Sequence, residues 1–206
     1  MYSEIRCHVL TKSTKCEISV LTHYLCTKQD TMNTQHIENY LALRNEIDTQ
    51  TEALWNQHQS NMACKKGCDQ CCLNFDVFPI EFEAIKQQVQ AEYPEVLERS
   101  VPDEETEKCV FLTNHQCSFY DARPIICRTH GFPLLYMNEE GDQWELSHCE
   151  LNFTQVDEDY FDEANTYPQD TINSKLFMMN KAYINSLDHA KHNEFDLIPL
   201  ANLLKK

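Results

Sequence analysis

Cys64-Lys65-Lys66-Gly67-Cys68-Asp69-Gln70-Cys71-Cys72 places four thiols in nine residues. An even spread of the chain's 11 cysteines would leave about half a cysteine in such a window. The spacing i, i+4, i+7, i+8 predicts that a helix, or a turn leading into one, brings all four sulfurs to one side. Cys68 and Cys71 form a CxxC pair, the spacing that lets two thiolates from one turn grip one ion. A stripe of free cysteines would also serve as a small apolar core face. Lys65 and Lys66 inside the run, and Arg128 after Cys127, argue instead for thiolates, because cations lower thiol pKa values and a packed face gains nothing from them.

Four more cysteines follow at Cys109, Cys117, Cys127 and Cys149, each beside a predicted hairpin strand or short helix that can return it to the first group. Neighbours such as Cys71 and Cys72 rarely serve one closed tetrahedral ion, so eight ligands point to two sites or a polynuclear cluster. His115, His130 and His148 lie beside these segments and could replace a sulfur, although a histidine taken singly more often has an ordinary hydrogen-bonding role. Cys7, Cys16 and Cys26 lack such context and stay outside the site. Pro124 restrains Arg123 from the helical region and starts the helix that presents Cys127. Arg123 and Arg128 can then hold carboxylates or donate to the sulfurs.

Outward from the cysteines, Ile37, Tyr40, Leu41, Ile47, Leu54 and Trp55 recur on one helix face, in a helix opening at Met32. Residues 1–31 lack such a stripe and read as a disordered tail or an over-extended start, leaving 32–206 as one metal-binding domain with its cysteine core at about 60–150. Asn74–Phe78 alternates like a short strand, and Pro79 opens a helix carrying Phe82, Ile85 and Val89 that Pro94 ends. Val110–Leu112 and Ser118–Tyr120 flank a turn at Thr113-Asn114-His115-Gln116, and Gly131 can cap the Pro124 helix. Leu134–Met137 and Trp144–Ser147 form a second hairpin around Gly141. Ile172, Leu176, Met179, Tyr183 and Leu187 mark a C-terminal amphipathic helix. The expected class is α+β: a small single domain of helices and short antiparallel hairpins organised around a cysteine-ligated metal site.

Composition narrows the function. With 17 basic against 33 acidic residues, the formal charge is −16, which repels polyanions and disfavours nucleic acid and anionic membrane surfaces. No apolar run approaches a transmembrane span or a signal-peptide core, so a cytoplasmic protein is expected. There cysteines stay reduced, and the uses left for 11 are metal ligation, redox chemistry or burial.

The order Cys64-x3-Cys68-x2-Cys71-Cys72, Cys109-Val-Phe-Leu and Cys117-Ser-Phe-Tyr-Asp-Ala-Arg-Pro-Ile-Ile-Cys127-Arg resembles the YkgJ-type cysteine-cluster family of zinc- or iron-chelating proteins, over about residues 60–150. The resemblance implies a small cytoplasmic metalloprotein, sometimes labelled an iron–sulfur oxidoreductase, and similar clusters occur in flagellin lysine methylases. Thr129-His130-Gly131 departs from the family pattern, which often runs more directly to Phe-Pro. The first reading is therefore a metal-binding protein that holds zinc or an iron–sulfur cluster through Cys64, Cys68, Cys71, Cys72, Cys109, Cys117, Cys127 and Cys149, in a structural or metal-handling role. The rivals are an iron–sulfur oxidoreductase or other cluster-dependent enzyme, and a thiol redox protein using Cys68 and Cys71. No nucleotide, flavin or nicotinamide fingerprint supports the enzyme reading, and Asp69 and Asp121 are poorly placed as bases.

Overall fold

Helix α1 is long because its buried positions keep a three-and-four rhythm through residues that hydropathy alone passes over. The computed structural model describes residues 16–100, 107–157 and 159–205, with side chains from residue 33. In it α1 spans Cys16–His58, so the expected start at Met32 falls inside the helix. Ile37, Tyr40, Ile47 and Leu54 are buried as the pattern requires, and Arg44, Thr51 and His58 continue the same stripe. Leu43 is buried more completely than Leu41, and Trp55 only partly.

After the cysteine run, β1 (Asp76–Val77) leads into α2 (Pro79–Glu92), with Pro79 in the first turn, where a missing N–H costs nothing. The Ile80 amide is satisfied from outside by Asn180 Oδ1 at 3.2 Å. Strands β2 (Leu112–Thr113) and β3 (Gln116–Cys117) pair with Leu112 opposite Cys117. Their turn holds Asn114 and His115 at φ 51° and 61°, the left-handed pair of a tight two-residue hairpin. The short helix α3 spans Ile125–Thr129. Strands β4 (Leu134–Met137) and β5 (Trp144–Ser147) form the second hairpin where the sequence places it. On its other edge β4 takes β6 (Tyr167–Pro168) in parallel, so the sheets are not wholly antiparallel as expected. Helix α4 spans Gln169–Ser186, with Leu187 just past its end, and β7 (Ile198–Pro199) returns to pair with β1.

The core lies in two clusters astride α2. One side joins Ile80 and Ala84 to α1, α4 and Tyr167; the other joins Ile85 and Val89 to Val96, Phe111, Phe119 and the C-terminal Leu200, Leu203 and Leu204. The Phe111 and Phe119 rings meet edge-on at 4.7 Å, which fixes the base of the first hairpin. No helix among the described residues is long and apolar enough to cross a membrane.

A polar knot joins the first three helices. Glu81 Oε1, fully buried, accepts from the Tyr40 hydroxyl at 2.8 Å and the Ile125 amide at 2.7 Å. Buried Arg128 donates through Nε to the Arg123 carbonyl at 2.9 Å, through Nη1 to Asp48 at 2.5 and 2.6 Å, and through Nη2 to the Asp121 carbonyl. Burial raises the Glu81 pKa, against the pull of these hydrogen bonds and of Arg128. Its contribution to stability is therefore full below about pH 4 and falls as pH rises through the folded-state pKa. Glu81→Gln keeps the oxygen that both donors use and carries no charge. We expect it to unfold in urea within about 1 kcal/mol of the parent and with a flatter pH profile, whereas Glu81→Ala should lose about 2–4 kcal/mol by leaving two buried donors unpaired.

Candidate metal centre

The cysteine run begins where α1 gives way to a 3-10 turn at Gln59–Asn61. Residues 64–72 then form turns rather than a helix. Gly67 takes φ +91°, the left-handed conformation that interrupts a helix, and the amides of Cys68 and Cys72 close tight turns onto Lys65 and Asp69 at 2.9 and 3.0 Å. The expectation of one helical stripe of sulfurs is thus corrected.

The eight cysteines from Cys64 to Cys149 are free and partly buried. They sort into two electrostatic neighbourhoods. In one, Cys64 feels Cys149 and Cys68, and Cys71 feels Cys64 and Cys68. In the other, Cys72 feels Cys109 and Cys117, Cys109 feels Cys117, and Cys127 feels all three. Cys72 also weighs on Cys71, more than Cys64 or Cys68 does, so the two adjacent residues join the groups.

Backbone geometry gives the same division. In the second group the Cys109 amide donates to the Cys72 carbonyl at 3.0 Å, beside the isolated bridge between Leu73 and Lys108. The Leu112 amide bonds to the Cys109 carbonyl at 3.0 Å while Leu112 faces Cys117 across the hairpin, so Cys109 and Cys117 flank one strand. Both pack against the α2 core cluster. In the first group, a Cβ placed on Gly131 would lie 3.3 Å from Cys64 Sγ and 3.9 Å from Cys149 Cβ, so these two cysteines meet at one glycine. The loop carrying Cys149 is fastened to the end of α1, with the Phe153 amide donating to the Asn61 carbonyl at 2.7 Å. Fully buried His58 supports it from below. Its Nε2 lies 2.7 Å from the Asn165 carbonyl and must donate there, leaving Nδ1 to accept from the Tyr160 hydroxyl at 2.9 Å.

Burial pushes up the thiol pKa values of Cys64, Cys71, Cys72, Cys109, Cys117 and Cys127, that of Cys71 to about 11 and that of Cys127 higher still. Neighbouring thiols add to it by disfavouring a second negative charge. The expectation that Lys65, Lys66 and Arg128 depress these pKa values is therefore corrected. Lys65 and Lys66 are exposed and Arg128 is committed to Asp48. The cations that do oppose the shifts are Lys108 at Cys72 and Arg123 at Cys117, with the Arg123 guanidinium 3.8 Å above the Tyr120 ring. Such a set of thiols suits a soft or borderline cation, whose charge offsets the ionisation that burial and crowding resist. Among the described residues, no three His, Cys, Asp or Glu side chains converge closely enough to enclose an ion as they stand. The thiols are assembled as neighbours rather than as a finished coordination shell.

The histidines have other partners. His115 is exposed and bonds through Nδ1 to Asp69 at 2.8 Å. His130 lies against the Phe75 ring, and His148 bonds to the Cys149 carbonyl at 3.1 Å among Phe153 and Phe161. Asp69 also takes Lys108, through its backbone oxygen at 2.7 Å, so it staples the cysteine run to the segment of the first hairpin. Asp121 reaches the Tyr93 hydroxyl at 3.4 Å. Sequence reading missed Asn152, whose amide nitrogen lies 3.4 Å from Cys64 Sγ; an asparagine in a turn carries no signal of that role. Cys7, Cys16 and Cys26 fall outside the residues whose side chains are described.

Residues 63–150 match the model of the family described as CxxCxxCC, putative zinc- or iron-chelating domain. That span begins one residue before Cys64 and ends one after Cys149, enclosing all eight thiols. No curated protein matches the chain, and no solved structure matches it. Gly131, at φ +96° and with a thiol where its side chain would go, offers the sharpest local test. Gly131→Ala should cost about 2–3 kcal/mol in urea unfolding and lower bound metal, while Gly141→Ala, also left-handed but facing open space, should cost only the backbone strain of about 1 kcal/mol and leave metal content unchanged.

Proposed function

We propose, from the place of residues 63–150 in the cysteine-cluster family of zinc- or iron-chelating domains, that this chain holds zinc or iron at two thiolate centres. Cys64, Cys68, Cys71 and Cys149 form an outer quartet, and Cys72, Cys109, Cys117 and Cys127 form an inner one. The backbone contacts that bring Cys109 and Cys117 to Cys72, apart from the meeting of Cys64 and Cys149 at Gly131, carry this reading. Each quartet has the four sulfurs that a closed tetrahedral centre or a four-thiolate iron–sulfur cluster requires. Bound metal supplies the positive charge that allows four crowded thiols to ionise together.

The role is structural or metal-handling. Four sulfurs close a mononuclear shell, whereas an open catalytic zinc site keeps a position for water and a nearby base. Asp69 is already engaged by His115 and Lys108, which supports the closed reading. An iron–sulfur oxidoreductase would use the same donors, and reversible bleaching of a visible spectrum by dithionite would mark it.

Single replacements test the partition. In anaerobically purified protein, Cys68→Ser should remove metal from the outer quartet only, and Cys117→Ser from the inner one only. Cys16→Ser should leave metal content unchanged by elemental analysis. Because Cys109 and Cys117 pack on the core, Cys117→Ser should also lower the melting temperature more than Cys68→Ser, as chelation of the parent protein should. Loss of all metal from either single variant would replace two centres by one shared cluster, and no zinc or iron in the parent would end the chelation reading.

A further inference from the structure

Asn152 lies two residues beyond the family segment and is only 1% exposed. Its Oδ1 accepts from the Ala63 amide at 2.8 Å, and its Nδ2 donates to the Gly131 carbonyl at 2.7 Å. These two backbone partners fix the amide's orientation. Turned over, it would set nitrogen against an N–H and oxygen against a carbonyl, with repulsion at both ends. The second hydrogen of Nδ2 is therefore directed to Cys64 Sγ, 3.4 Å away. Gly131 is shaped to the same contact, since a Cβ there would stand 3.3 Å from that sulfur and 3.5 Å from Nδ2.

We propose that Asn152 is a positioning residue for the outer metal centre: its Nδ2–H donates to the Cys64 thiolate, aims the sulfur and draws off part of its charge. The inference rests on the two-centre reading above. Its physical basis is that an N–H held on a ligand sulfur fixes where that sulfur points and lowers the electron density it gives to a metal. The same side chain ties together the segments that carry Ala63 and Gly131, and the backbone N–H of Asn152 donates to the Cys149 carbonyl at 2.9 Å. A residue that served only as glue between these segments would affect folding and nothing else.

Cobalt(II) loaded into the full-length, metal-free protein separates the two roles. For Asn152→Ala we expect one of the two centres to bind cobalt roughly 10–100-fold more weakly, the range found when a group bonded to a metal ligand is removed. Its sulfur-to-cobalt charge-transfer band should move to longer wavelength, because a sulfur without its donor gives up an electron more readily. Asn152→Asp keeps an oxygen for the Ala63 amide but turns a negative charge on Cys64. It should weaken the same centre at least as much, and it serves in the same measurements should the alanine variant not fold. A folded variant with a lowered melting temperature but unchanged cobalt affinity and band position overturns the proposal and leaves Asn152 a purely structural residue. Absence of any thiolate–cobalt band in the unaltered protein would instead remove the chelation reading and this inference with it.

Discussion

Two thiols on adjacent residues share one peptide bond, and their side chains leave the backbone in different directions unless the chain is bent to reunite them. At Cys71–Cys72 the two thiols remain neighbours, and Cys72 weighs on Cys71 more than any other thiol does. Beyond that mutual neighbour, Cys71 has Cys64 and Cys68 near it, while Cys72 has Cys109 and Cys117, and Cys127 lies near Cys72 in turn. This difference makes one short run serve two neighbourhoods. The run is not a helix because Gly67 takes a left-handed φ and the amides of Cys68 and Cys72 close turns instead. The remaining architecture delivers partners to the two sides: the first hairpin and α3 to one, the loop after β5 to the other.

Around this junction, buried polar contacts do what the small apolar clusters alone cannot. Glu81 gathers α1, α2 and α3 at one oxygen, and Arg128 holds the chain around Cys127 by binding two carbonyls and Asp48. Arg128 thereby fixes the chain on either side of Cys127. His58 and Asn152 perform the equivalent task for the loop that bears Cys149. Such groups are costly to bury unless every donor finds an acceptor. Their completeness accounts for a definite backbone around thiols that are still short of a closed shell.

Much of the fold was legible in the sequence because hydrophobic period and turn chemistry act locally. Pro79, the Asn114-His115 turn and the strands flanking Gly141 mark elements that the structure contains, and the stripe of α1 was visible at Ile37, Tyr40, Ile47 and Leu54. Its continuation through Arg44, Thr51 and His58 was not, since Arg44 and His58 are held by residues distant in sequence, Gln88 and Tyr160 with Asn165, and Thr51 turns its hydroxyl back onto the helix carbonyls. The parallel pairing of β6 with β4 is equally non-local. For the site, the cysteines themselves were evident from density and spacing, but their division was not, because it depends on the turn at Gly67 and on what returns to each side. Lys65, Lys66 and Arg128 misled for a related reason: adjacency along the chain said nothing about which way each cation points.

X-ray absorption at the zinc and iron edges of anaerobically purified protein addresses the account at its centre, because it reports the donor atoms around whatever metal is bound. Two thiolate quartets predict a first shell of sulfur alone, four per metal at about 2.3 Å, together with about two centres per chain by elemental analysis. A first shell dominated by nitrogen or oxygen, or a chain that carries no metal while all eight thiols react freely, would contradict it.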